Sequence, residues 1–215
     1  MIGWLSLAFA ATEPCSESAE VLAERSAAFK KLYDDGEAER ADRSLDADSV
    51  LQRDEARVAE ILKADKRGEL CTVEDKWHAA WVLEQADSLE TLERAYQLAL
   101  QTMEAHHPNG PWLVAFTFDR KRTAAGYPQS YGTQTRIDAS NHRCLIEVDP
   151  ATPDEERAKY GLKPLADAYR KVLDVNGYKD DEATLERLNR RSLYCPPEAI
   201  SRKGLKNQER AENFP

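Results

Sequence analysis

The stretch TVEDKWHAAWVLEQADSLETLERAYQLALQTMEAHHPNGPWLVAFTFDR, Thr72 to Arg120, decides the fold class. Thr72 followed by Asp75 is a box-like helix cap, because each residue can satisfy the other's orphan backbone N–H. Trp77, Ala80 and Trp81 then recur at three-to-four spacing and set two large aromatics on one stripe. Ser88 caps a second helix with Leu92, Ala95, Tyr96, Leu98, Ala99 and Met103. Pro108-Asn109-Gly110 ends it, and Pro111 opens a third through Trp112, Leu113, Val114 and Phe116. Three short, closely connected helices pack antiparallel, so this region reads as part of a helical bundle.

Upstream, Val21, Leu22, Phe29, Leu32 and Tyr33 mark a helix over Glu17 to Asp34. Asp34 to Asp48 is charged and poor in apolar residues, and reads as a solvated connection. A further helix follows from Asp48 or Ser49 and stops at Gly68. Downstream the period changes. Thr135 to Asp138 and Arg143 to Val148 cluster strand formers around Ala139-Ser140-Asn141-His142, the signature of a β-hairpin. A short acidic helix starts at Thr152 or Asp154 and ends at Gly161, and Pro164 starts another. The expected architecture is an α-dominated α+β domain over residues 17–194. It comprises a bundle over 17–125, then a polar loop, a hairpin and short helices over 126–194, with a polar tail over 195–215.

The net charge of −9 argues against non-specific nucleic-acid binding, which needs a basic surface, and disfavours docking on anionic lipid. Residues 1–11, MIGWLSLAFAA, are uncharged and end in a small-x-small pattern, as an export signal does, and are too short for a membrane span. The expected location is periplasmic or secreted. No Lys or Arg precedes the apolar run, and the competing reading is a helix packed in the core. Cys15, Cys71, Cys144 and Cys195 lie far apart without C-x-x-C spacing, which argues against a metal site, and no cofactor is expected. Outside the cytoplasm an even count implies two disulfides with three connectivities. Sequence proximity favours Cys15 with Cys71 and Cys144 with Cys195.

The densest polar segment combines Asp119-Arg120 and Gly126 with Pro128-Gln129-Ser130-Tyr131-Gly132-Thr133-Gln134. Gln129, Tyr131, Thr133 and Gln134 offer neutral donors and acceptors, and Gly132 permits a turn or a close backbone approach. Three uses of the set stay open. It could orient a small polar or peptide ligand, with Arg120 reading an anion. It could serve a hydrolase or transferase, with Asp119 as base and Arg120 as anion clamp. Or it could tie a loop to a helix end by satisfying orphan backbone groups.

This segment resembles a family of uncharacterised bacterial proteins. Its members carry an Asp-Arg pair, a glycine, Pro-Gln-x-Tyr-Gly-Thr-Gln, an Asp-Pro and then a helix of Asp-Glu-x-Arg type. The corresponding residues here are Asp119-Arg120, Gly126, Pro128-Gln129, Tyr131-Gly132-Thr133-Gln134, Asp149-Pro150 and Asp154-Glu155-Glu156-Arg157. The resemblance spans roughly Ala79 to Leu165. It departs at Glu84-Gln85, where relatives carry Gln-His. The resemblance implies kinship and no reaction.

Overall fold

A computed structural model describes residues 15–42, 44–137 and 142–178, and Cys195. The 1–11 segment and the rest of the tail lie outside the described residues. The architecture is α-dominated α+β. In chain order the elements are α1 (Ala19–Ala41), α2 (Ala47–Lys66), α3 (Val73–Leu83), α4 (Leu89–Glu104) and α5 (Gly110–Ala124). Then come β1 (Thr135–Ile137), β2 (Arg143–Leu145), α6 (Asp154–Ala158) and α7 (Leu165–Val175).

The caps of α3 and α4 fall where the sequence puts them, at Thr72 and Ser88, while α2 is capped by Asp46 rather than by the expected Asp48 or Ser49. Thr72 Oγ1 accepts from Asp75 N at 3.0 Å while Asp75 Oδ2 accepts from Thr72 N at 2.8 Å, closing the box that starts α3. Asp46 and Ser88 cap α2 and α4 through their side chains. Along α4 the buried positions Leu92, Ala95, Leu98, Ala99 and Thr102 form one stripe. It meets Leu113 and Val114 of α5 together with Ala79, Ala80 and Leu83 of α3. Ile61, Leu83, Leu98 and Leu113 are fully enclosed, and each withdrawal from water stabilises the bundle by about 2 kcal/mol. Tyr33 of α1 meets Trp77 and Trp81 edge-on, with ring centroids 5.1 and 6.0 Å apart.

A larger difference from the sequence reading lies at the end of α1. Helix α1 does not stop at Asp34 but runs through the charged segment to Ala41. Its charges are used between helices. Arg40 bridges Glu37 and Asp54, while Glu39 accepts from Arg53 and Arg57 of α2. Glu37 also accepts from the Trp81 indole at 3.0 Å. Polar composition alone could not distinguish this network from a solvated loop.

The hairpin is antiparallel with Thr135 opposite Leu145 and Ile137 opposite Arg143. Leu145 and Val148 pack on Tyr169, Val172 and Leu173 of α7, a second and smaller core. The Asn176 amide brackets the Arg143 backbone, accepting from its N and donating to its O, both at 2.7 Å, and so fixes the end of α7 to β2.

Both cysteine pairings hold. Cys15 joins Cys71 with Cα atoms 5.7 Å apart, and Cys144 joins Cys195 at 4.9 Å. The first ties the approach to α1 to the turn before α3. In the second, the Cys195 N–H also donates to Leu145 O at 2.8 Å, holding that residue to the hairpin.

Candidate functional site

Asp119 lies on the last turns of α5 and is wholly buried. Its carboxylate accepts from the backbone N–H groups of Ser130 (2.7 Å), Tyr131 (2.9 Å) and Thr133 (3.0 Å), and from Thr133 Oγ1 at 2.8 Å. Burial pushes this carboxyl above its ordinary value, against the hydrogen bonds that favour its charge. The arrangement is a charged pin that folds the loop backbone around one side chain. Both carboxylate oxygens are engaged by these donors.

Gln129 does for the hairpin what Asp119 does for the loop. Fully buried, its amide nitrogen donates to Gln134 O at 3.0 Å and Ile146 O at 2.6 Å, and its Oε1 accepts from Gln134 N at 2.7 Å. Its backbone pairs with Glu147 and Asp149, a parallel bridge beside the hairpin. Gln134 in turn donates to Phe116 O at 3.2 Å and reaches back to α5. Tyr131 packs its ring between Phe118 and Tyr160, with centroids 5.7 and 4.8 Å away.

Arg120 points elsewhere. Its guanidinium donates to Glu84 O and Ala86 O, both at 3.1 Å, and so ties α5 to the turn that follows α3. Asp119 and Arg120 therefore do not share a site. Beside Arg120 lies the Glu84 carboxyl, buried and pushed up to about 7 chiefly by loss of solvent.

The two remaining motif residues, Gly132 and Thr133, open onto a cavity of about 690 Å³. Helix α7 forms one wall through Ala168, Val172 and Val175, and β2 another through Arg143 and Leu145. Trp112 and the 161–164 turn complete the lining. Gly132 is required here, since its φ is +71° and an added Cβ would lie 2.8 Å from Leu165 Cδ1 and 3.0 Å from Arg157 Nη1. Arg157 of α6 also lines the cavity and is buried, with burial lowering the affinity of its guanidinium for the proton. Its Nε and Nη2 donate to Lys163 O at 3.2 and 3.0 Å, but Nη1 has no hydrogen-bond partner among the described residues.

The sequence singled out the loop, but not the cations of the cavity. Arg143, Lys163 and Lys171 are scattered through the sequence, and only the packing of hairpin against α7 gathers them with Arg157. Among the described residues no cluster of His, Cys, Asp and Glu could hold a metal, and no helix is long and apolar enough to cross a membrane. No protein-family model, curated protein or solved structure matches this chain.

Proposed function

We propose that this chain is an exported binding domain that holds a small polar ligand in the cavity beside the Pro128–Gln134 loop. The observation that carries the reading is the cavity itself. Its volume of about 690 Å³ falls within the range of small-molecule sites, and Gly132 and Thr133 of the motif line it. A rigid support favours the same use. Asp119, Gln129 and Gln134 fix the loop on one side, and the Asn176 bracket fixes β2 on the other, so the walls are pre-formed. Both disulfides, with no free cysteine, support an oxidising compartment.

A thermal-shift screen against a metabolite library tests this, run on the wild type and on Ala168→Trp, whose indole obstructs the cavity at its α7 wall. At least one compound should stabilise the wild type by about 2–3 kcal/mol at a hundredfold excess over its Kd, and leave the variant unmoved. A library that shifts neither protein, or both alike, sinks the proposal.

A further inference from the structure

The charge around the cavity runs opposite to the charge of the chain. With 39 acidic against 30 basic side chains overall, the protein nevertheless lines this hollow with Arg143, Arg157, Lys163 and Lys171. The one acid among the lining residues, Asp167, is paired with Arg170 at 2.8 Å. Lys163 and Lys171 are exposed and have no ion-pair partner among the described residues. Four cations outnumber the acids at hand, Asp154 beside Arg157 at 3.4 Å and Asp167 in the lining, and the excess raises the local potential and concentrates anions.

Arg157 adds the second observation. Its side chain is only 4% exposed, and beyond its contacts with Lys163 O and with Asp154 at 3.4 Å it keeps an N–H without a partner. Native proteins rarely leave a buried charged donor unsatisfied, and a bound acceptor is one resolution. Apart from Thr133, Thr135, Asp167 and the Trp112 indole, the rest of the lining offers no polar side chain, with Leu145, Leu162, Pro164, Val172 and Val175 among it. Such a wall stabilises a ring or a short hydrocarbon and gives nothing to a bare inorganic ion.

Resting on the binding reading above, we infer that the ligand is a small amphipathic organic anion. Its carboxylate, sulfonate or phosphate group is read by Arg157, Lys163 and Lys171, and its apolar part lies against Leu145 and Val172. The two lysines act as point charges at the rim, while the arginine offers a fixed donor from a dry position.

The test uses two fluorescent probes with one ring system. 8-Anilinonaphthalene-1-sulfonate carries the anion, and N-phenyl-1-naphthylamine lacks it. Titrated into the folded protein at low salt, the sulfonate should bind about tenfold more tightly than the neutral amine. Lys163→Glu with Lys171→Glu should erase that preference without lowering the melting temperature, both residues being exposed. Ala168→Trp should abolish binding of both probes. Val175→Trp, at a more exposed position of the same wall, serves if Ala168→Trp does not fold. Equal affinities for the two probes, both lost on blocking the cavity, would overturn the anion inference and leave the binding reading intact. Binding that ignores both blocking variants overturns the two together.

Discussion

Asp119 and Arg157 are buried charges on the two sides of one loop, and the protein treats them differently. Asp119 receives three backbone N–H groups and a hydroxyl, so its carboxylate oxygens are occupied by the loop it organises. Arg157 is almost as deep, yet one nitrogen has no hydrogen-bond partner among the described residues and the residue lines a cavity. Full satisfaction marks a structural role, since a charge so held is stable and inaccessible. Incomplete satisfaction beside open volume marks the place where another molecule can complete the set. A polar motif therefore divides by geometry. Asp119, Gln129 and Gln134 build the loop, while Gly132 and Thr133 give it a face toward the cavity.

The largest expected effect comes from the saturated charge. Asp119→Ala leaves the Ser130, Tyr131 and Thr133 N–H groups without their acceptor, that of Tyr131 buried and the other two half-buried. Charge-assisted bonds of this kind contribute about 1.5–3 kcal/mol each and are not additive, so a total loss of about 3–5 kcal/mol is expected in urea unfolding. A loss under about 1 kcal/mol would break the comparison, because the loop would then stand without its pin.

The bundle was legible because its signals are local. The Thr72–Asp75 box, the Ser88 cap and the apolar stripe of Leu92, Ala95, Leu98 and Ala99 each involve residues within a few turns of one another. The extension of α1 to Ala41 was not, because its stabilising partners Asp54, Arg57 and Trp81 lie one or two helices away. The site divides the same way. Composition singled out the Asp119 to Gln134 segment, but which side chains turn inward is decided by the hairpin and α5 together. Arg143, Arg157, Lys163 and Lys171 come from three elements and a turn, and no spacing rule connects them.

A third buried charge sharpens the comparison. Glu84 is 4% exposed, and Arg120, Arg40, Glu37 and Asp54 are the charged groups around it. The neutral Gln85 amide donates to one carboxylate oxygen, but the charge of Arg120, with Nε 3.9 Å away and too far for a hydrogen bond, compensates the burial only in part. Its carboxyl is pushed up from the ordinary 4.5 to about 7, so the native state holds a proton that the unfolded chain releases. The sign follows. The stability from neutral Glu84 is fully present below about pH 4.5 and is lost as the pH rises through about 7. Glu84→Gln should remove that decline and exceed the wild type at pH 8 by roughly 2–3 kcal/mol, read from urea midpoints across pH 5 to 8. Parallel profiles for the two proteins would show that Arg120 and Gln85 together satisfy Glu84 as fully as the loop satisfies Asp119.

The smallest expected change in stability is at the unsaturated charge, and there the comparison is most exposed. Arg157→Met keeps the length of the side chain and its contacts with the cavity wall while removing the guanidinium. Two donations to Lys163 O are lost, but Lys163 is exposed and water can take over that carbonyl. Against this, the folded state no longer desolvates a cation that keeps an N–H without an acceptor. The two effects oppose each other, so the unfolding free energy should change by less than about 1 kcal/mol in either direction. Binding of the sulfonate probe should nevertheless weaken by about tenfold, with the neutral probe unaffected. That combination is what a residue kept for a ligand gives, since its unsatisfied donor is of no use to the empty fold. A loss matching that of Asp119→Ala would instead make Arg157 a second pin, holding α6 to the turn before α7, and the asymmetry between the two charges would disappear.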